Sequence, residues 1–367
     1  MAARSVTVLG GGNTAFSVAA NLSLDGWQVT LGEIPSFAHA VEPVLANHTI
    51  RLDGMAHRGE ARIEHITTNL ADALAANDLV LLIVPAYAHE PFATACAADV
   101  RAGQTIVLLP GTLGCLEFLR IVGRRQPDLS IGGPDGLTVA ETDTAPYVCR
   151  KLSADSAHIW GVAGGMGLGV FPARETERVL PLVEAAFPGV RPYADVLQCG
   201  LSAMNPVVHP AGVLMNAGRI ERARGEFYFY DEGVTPSVCR AIEAVDAERL
   251  AIGRALDMQL SPVAESFFEA GFGPNGNLWS TINGSAMLTA LRAPGAINTR
   301  WLTEDLPYGL AVWCRLAEVV GVPAPVMRSL VDLGSAVLEM DCWTSGRMLE
   351  DLGLDVDRTE LLATARG

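Results

Sequence analysis

Residues 5–12, Ser-Val-Thr-Val-Leu followed by three glycines, constrain this chain more than any other stretch. The β-branched run reads as a strand, and the glycines closing it permit backbone conformations that other residues avoid. From residue 13 to 25, Ala15, Val18, Ala19 and Leu22 recur at helical spacing. Strand, glycine turn and helix in this order open a doubly wound nucleotide-binding sheet. Gly10, Gly12 and Ala15 fit G-x-G-x-x-G/A. There the first glycine allows the tight turn and the second admits a pyrophosphate to the backbone. The small third residue lets helix and strand pack closely, and the helix N-terminus offers its N–H groups to phosphate. A second strand, residues 27–31, ends at Gly32-Glu33. Glu33 stands 23 residues after Gly10 (33 − 10), where an acid takes the adenosine ribose hydroxyls. A glycine-rich turn without ligand is the competing reading.

The alternation continues. Residues 79–84 form a fully apolar run closed by Pro85, and residues 104–109 another closed by Pro110-Gly111. Such runs suit strands of a parallel sheet buried on both faces, with ligands at their carboxyl ends. Shorter runs near 62–67, 145–150, 159–162 and 169–171 are expected to extend the same sheet, and a helix over 174–187 to close the domain. Beyond about residue 197 the pattern is helical, over 207–219, 236–256, 280–290, 308–320 and 324–339, bounded by Gly, Pro and Asn. The expected fold is α/β. An N-terminal doubly wound Rossmann-type domain over residues 1–195 is followed by an all-helical catalytic domain with C-terminal tail over 196–367.

Composition removes several function classes. A net charge of −15 without any basic run argues against nucleic acid, which requires clustered Lys and Arg. No apolar stretch reaches 18 residues and the opening lacks a signal-peptide core, so no membrane association is expected. The seven cysteines are scattered and form no CxxC pair, which suits a reducing, cytoplasmic compartment and gives no metal site. Lys151 is the only lysine; beside Arg150 and a polar stretch it reads as a solvated surface residue. Schiff-base and Walker-type phosphate chemistry are poor fits for such a chain.

Six of the seven histidines precede residue 160, and His209 alone lies in the second half. Its frame is Asn205-Pro-Val-Val-His209-Pro210, in which Asn205 can cap a helix and Pro206 suits the first turn. A buried structural histidine and a proton donor are equally compatible with that frame. Arg300, followed by Glu304-Asp305, offers a planar carboxylate fork and an acidic partner for a histidine. A surface ion pair with an acidic helix start is the plainer reading of these three residues.

Together these blocks resemble the opine dehydrogenase family: Asn205 to Pro210, Gly233 to Ser237, Asp246 to Arg249, and Asn298-Thr-Arg300 with Glu304-Asp305. The similarity extends to Val84-Pro-Ala86, Pro110-Gly111 with Gly114, Glu141-Thr142 with Cys149-Arg150, and Gly346-Arg347 to Gly353-Leu354. It therefore runs nearly the whole chain, in order. The resemblance implies that His209 is the catalytic histidine, Asp305 its acidic partner, and Arg300 the residue that meets the oxo-acid carboxylate. Asn205 is assigned to the substrate as well. Gly10, Gly12, Ala15 and Glu33 match the dinucleotide site, to which Gly11, Asn13, Thr14, Pro85 and Glu141 are added. Two departures stand out: Met204-Asn205-Pro206 replaces the family's Asn-x-Asn-Ala block, and Glu33 occupies a place that also carries Asp or a basic residue in other members.

The implied reaction condenses an amino acid with a 2-oxo acid to an imine, which then takes hydride from NAD(H), preferred because Glu33 repels a 2′-phosphate, or from NADP(H). His209 would move the proton, Asp305 fix its tautomer, and Arg300 orient the substrate, in a cleft between the domains. A homodimer is left open. Two alternatives remain: a ketopantoate-type or 3-hydroxyacid reductase, which relies on a lysine in the helical domain where this chain has none, and a non-catalytic dinucleotide sensor.

Overall fold

The computed structural model describes residues 4–367, in two compact units. The first runs through Cys199 and takes back Arg366–Gly367; the second is Gly200–Ala365. The expected second domain held the whole tail. Its last two residues are drawn to the first unit because Arg366 Nε reaches Asp195 Oδ2 at 3.3 Å and Arg174 Nη1 donates to the Gly367 carbonyl at 2.9 Å.

Among the described residues the first unit contains twelve strands: β1 (Ser5–Leu9), β2 (Gln28–Gly32), β3 (Thr49–Gly54), β4 (Gly59–Arg62), β5 (His65–Thr67), β6 (Leu79–Leu82), β7 (Thr105–Leu108), β8 (Thr138–Thr142), β9 (Tyr147–Ser153), β10 (Ser156–Val162), β11 (Gly167–Phe171) and β12 (Arg191–Pro192). Eight form one sheet in the order β12-β11-β8-β7-β6-β1-β2-β5. Every neighbouring pair is parallel except β8 with β11. The apolar runs of β6 and β7 are wholly buried, as parallel strands covered on both faces must be. The order reverses at β1, with β2 on one side and β6 on the other, so the glycine turn after β1 sits at the topological switch point.

Two expectations about this sheet need correction. The run at 62–67 is two strands, since β4 ends at Arg62 and pairs antiparallel with β3, whereas β5 begins at His65 and pairs with β2. The runs near 145–150 and 159–162 fall in β9 and β10, which join a separate sheet of order β4-β3-β10-β9. They are consecutive antiparallel neighbours linked by a tight turn, so they pair with each other, and β10 then adds to β3. Of the four short runs only 169–171, within β11, extends the main sheet unbroken. The second sheet covers the helix Asn13–Leu24, whose residues 15–22 are all buried. A helix buried all round its girdle is one enclosed on more than one face.

The second unit is helical, with Asn205–Leu214, Pro236–Ala255, Ala311–Val319 and Pro325–Leu338 as its longest segments. Three expected helices are interrupted. The 207–219 stretch stops at Leu214 and resumes at Ala217; residues 280–290 divide into Leu278–Asn283 and a single turn, Leu288–Ala290. Residues 308–310 belong to a π-helical turn, Asp305–Leu310, that leads into Ala311–Val319. Among the described residues no helix is long and apolar enough to cross a membrane.

A fully buried ion pair holds the long helix. Arg249 Nε and Nη2 donate to Asp246 Oδ1 at 2.9 and 2.7 Å, while Nη1 and Nη2 donate to the Leu201 and Ser261 carbonyls at 2.8 and 2.6 Å. Asp246 Oδ2 accepts the Val263 N–H at 2.8 Å, starting the helix Val263–Glu269. Removing one member strands the other charge in the core. Arg249→Ala is therefore expected to cost about 3–5 kcal/mol, and urea unfolding of the variant measures it; a loss under about 1 kcal/mol would contradict the role.

Candidate active site

The first unit holds the glycine turn. Gly10 has φ +118°, and an added Cβ would lie 2.5 Å from the Ile83 carbonyl oxygen, so only glycine fits there. Its N–H donates to the Gly32 carbonyl at 2.8 Å, tying the turn to the end of β2. Gly12 is exposed, and an added Cβ there would meet nothing within 4 Å. The helix that starts at Asn13 has no side-chain cap and no acid in its first turn. An open helix N-terminus behind an uncrowded glycine is a cradle that fits a phosphate. Ala15 is fully buried against the strands.

The remaining residues of the expected dinucleotide site lie in varied surroundings. Asn13 Oδ1 accepts the Lys151 N–H at 3.0 Å, and Thr14 Oγ1 lies 3.8 Å from Cys149 Sγ. Glu33 is buried, with Oε1 accepting the Ile34 N–H at 2.8 Å. Burial pushes its carboxyl above the usual range, while the N–H groups of Ile34 and Gly11 and the charge of Lys151 pull it back. Pro85 is half-buried and precedes the turn Ala86–Ala88. Glu141 has a different environment: fully buried, it accepts from Leu113 N–H at 2.8 Å and Cys115 N–H at 3.1 Å. Its carboxylate thus neutralises the start of the helix Gly114–Arg125.

Lys151 is not the solvated residue its neighbours in sequence suggest. It is half-buried, with Nζ 2.8 Å from the Ala40 carbonyl, 3.4 Å from the Gly11 carbonyl and 3.7 Å from the centre of the Phe16 ring. Burial lowers its basicity and Glu33 opposes that. The polar flanks of residue 151 belong to an edge strand, β9, which the second sheet lays over the glycine turn.

The second unit brings His209 and Asp305 together. Asn205 is the first residue of the helix, with Met204 at the cap, so Asn205 does not cap it as expected; Pro206 follows in the first turn. Asn205 is exposed and lies one turn before His209, on the same helical face. His209 Nδ1 is 2.7 Å from Asp305 Oδ2, and the two side chains are only 11% and 9% exposed. Burial raises the Asp305 carboxyl and the hydrogen bond from His209 works against that rise. An ionised carboxylate only accepts, so this contact puts a proton on Nδ1 and leaves Nε2 for exchange.

Three aromatic residues complete the site, none of them singled out in the sequence. The Trp301 ring stacks on His209 with centroids 4.4 Å apart and planes 3° from parallel. Phe229 meets Trp301 edge-on at 4.8 Å, and the Tyr230 hydroxyl lies 3.4 Å from His209 Nε2. Burial and the Asp305 charge push the Tyr230 phenol up, so it stays protonated and can donate. The aromatic content of the 221–235 loop and the position of Trp301 between Arg300 and Asp305 were the available signals. Arg300 opens the short helix Arg300–Thr303, with Nε donating to Glu304 Oε2 at 2.8 Å and a side chain 48% exposed.

The turn Asp305–Leu310 is held by close backbone approaches. An added Cβ at Gly309 would lie 2.6 Å from Pro206, and one at Gly346 would lie 2.0 Å from the Pro307 carbonyl oxygen. The next residue, Arg347, is buried over the Tyr308 ring at 5.1 Å.

Known proteins resemble this chain along nearly its whole length. The model of the family described as NAD/NADP octopine/nopaline dehydrogenase, alpha-helical domain, matches residues 192–338. An opine dehydrogenase from Arthrobacter sp. (strain 1C) is 31% identical over 352 residues, covering 96% of this chain and 95% of that protein. An octopine dehydrogenase solved with NADH and agmatine covers 99% of this chain and 98% of its own, at TM-score 0.78 and 20% identity. Solved with NADH and pyruvate, octopine dehydrogenase superposes at TM-score 0.74, with 20% identity and 99% and 98% coverage. A yersinopine dehydrogenase with NADP+ bound matches over 99% of this chain and 98% of its own, at TM-score 0.70 and 14% identity.

Gly309 sets the spacing of the two segments that carry His209 and Asp305. Gly309→Ala must push Pro206 away, and such overpacking is expected to cost about 1–3 kcal/mol. Thermal unfolding reads the loss directly; an unchanged midpoint would mean that the contact is slack.

Proposed function

Because this chain belongs to the opine dehydrogenase family, NAD(P)-dependent oxidoreductases, we propose that it joins the amino group of an amino acid to the carbonyl carbon of a 2-oxo acid. It also runs the reverse oxidation. The amine and carbonyl first lose water to form an imine; addition of a hydride to the imine carbon and a proton to nitrogen gives the secondary amine. The reduced dinucleotide, bound at the glycine turn, supplies the hydride. Gly10, Gly12 and the uncapped helix start fit its pyrophosphate, and Glu33 supports a preference for NAD(H) with NADP(H) also accepted.

The observation that carries the reading is the buried His209–Asp305 pair, with Nδ1 at 2.7 Å from the carboxylate. Asp305 fixes the tautomer and stabilises the imidazolium, as in triad chemistry. His209 Nε2 then gives a proton to the departing carbonyl oxygen, takes one back from the nitrogen as the imine forms, and returns it to nitrogen when hydride adds to carbon. Trp301, stacked face to face on the ring, holds the imidazole plane. Tyr230 supplies a donor beside Nε2, and Asn205, on the same helical face, offers an amide to the substrate. Arg300, oriented by Glu304, takes the 2-oxo acid carboxylate. The seven cysteines, none of them in a disulfide among the described residues, support work in a reducing, cytoplasmic compartment.

The deciding assay pairs amino acids with pyruvate, 2-oxoglutarate, oxaloacetate and glyoxylate, following loss of NADH and of NADPH. Turnover that requires both an amino acid and a 2-oxo acid supports the reading. Turnover with an oxo acid alone returns the chain to the hydroxyacid reductases. His209→Ala should lose about two to four decades of turnover with NADH binding little changed. A folded variant that keeps more than about a tenth of wild-type turnover would falsify His209 as proton donor.

Arg300→Lys keeps the charge and loses the planar two-point contact. The KM for the 2-oxo acid should rise at least about tenfold, ~1.4 kcal/mol, while the KM for NADH holds. If Arg300 serves only as the ion-pair partner of Glu304, both constants stay put and stability falls by well under ~1 kcal/mol.

A further inference from the structure

The chain's one lysine is unused by the reaction just described, yet it stands at the glycine turn. Lys151 Nζ donates to the carbonyls of Ala40 at 2.8 Å and Gly11 at 3.4 Å, and it rests on the Phe16 ring. Its backbone N–H donates to Asn13 Oδ1, so β9 grips the turn at two points. An ammonium has three protons, and these two carbonyls use two of them. Glu33 lies against the same glycine: an added Cβ at Gly11 would come 3.0 Å from Glu33 Oε2. Gly11 is thus flanked by an anion and a cation, where the acid after β2 meets the adenosine ribose.

In the usual logic of such a site, the acid alone repels the extra phosphate of NADP(H), and an arginine on the loop after β2 is what admits it. The residues after Glu33 here, Ile34, Pro35 and Ser36, bring no positive charge. The cation comes instead from a strand more than 110 residues later, 151 − 33 = 118. We propose that Lys151 is a specificity-determining residue of the dinucleotide site, offsetting Glu33 so that the 2′-phosphorylated dinucleotide remains bindable beside NAD(H). The inference rests on the glycine turn as the dinucleotide site. It assigns preference to the pair, with Glu33 favouring NAD(H) and Lys151 limiting how strongly NADP(H) is refused.

Isothermal titration of the full-length chain with NADH and with NADPH, without substrate, tests it independently of turnover. Lys151→Gln retains a donor for the carbonyls and removes the charge; Lys151→Met removes both; Lys151→Arg keeps the charge. In the Gln and Met variants the Kd for NADPH should rise at least about tenfold more than that for NADH, a shift of selectivity and not of affinity alone. Lys151→Arg should keep the wild-type ratio within about threefold. The NADPH difference between wild type and Lys151→Gln should shrink as salt rises, as a charge effect must. Equal weakening of both cofactors in Lys151→Gln would make Lys151 a brace for the turn and overturn the proposal. So would a wild-type chain that binds NADH but not NADPH, or variants with no change in either. A wild-type chain that binds neither overturns the dinucleotide reading itself, and unfolding midpoints of the variants separate that from misfolding.

Discussion

A carboxylate that is only 9% exposed and in contact with a histidine ring at 2.7 Å is costly to assemble, and much of the second unit's local geometry serves that contact. Asp305 stands at the start of a π-helical turn, a form that widens the backbone and recurs at functional sites. The turn is brought against the His209 helix by the Gly309–Pro206 approach and backed by Gly346 against Pro307. Trp301 stacks on the ring, Phe229 backs Trp301, and Tyr230 sets a hydroxyl 3.4 Å from Nε2. A dry surround strengthens the hydrogen bond between the pair and raises the cost of leaving either partner alone.

Four other buried charged residues, Arg249, Asp246, Glu141 and Glu33, obey the same rule by different means. Arg249 meets Asp246 and two carbonyls, so both charges and their leftover donors are satisfied within one helix and its neighbours. Glu141 has N–H partners at a helix start in place of a counter-ion. Glu33 combines N–H groups with a nearby lysine, and of these groups it is the one poised at the open end of the glycine turn. Its environment is therefore the one a bound dinucleotide would feel.

Local periodicity made much of the scaffold legible. The β-branched run before Gly10, the apolar blocks of β6 and β7, and the helical spacing over 236–256 each carry their own pattern, because burial on both faces or on one stripe leaves a mark in the chain itself. Resemblance in short blocks added His209, Asp305 and Arg300, which periodicity alone could only nominate. Strand partnership is the information that local sequence lacks. Residues 147–162 look like any other strands, and nothing within them states that β10 adds to β3 and not to β8.

What the sequence determined by itself is the alternation of strand and helix in the first unit, the glycine turn after the first strand and the resemblance to the family. All of these are written in neighbouring residues. The tertiary structure decided which distant residues share a charge or a ring. It stacked Trp301 on His209, set Tyr230 at Nε2, turned Glu141 to a helix start and carried Lys151 back to Gly11. Such contacts depend on strand pairing and helix approach across tens to more than a hundred residues. Backbone geometry sets them, and the side chains on either side of each residue bear no trace of it.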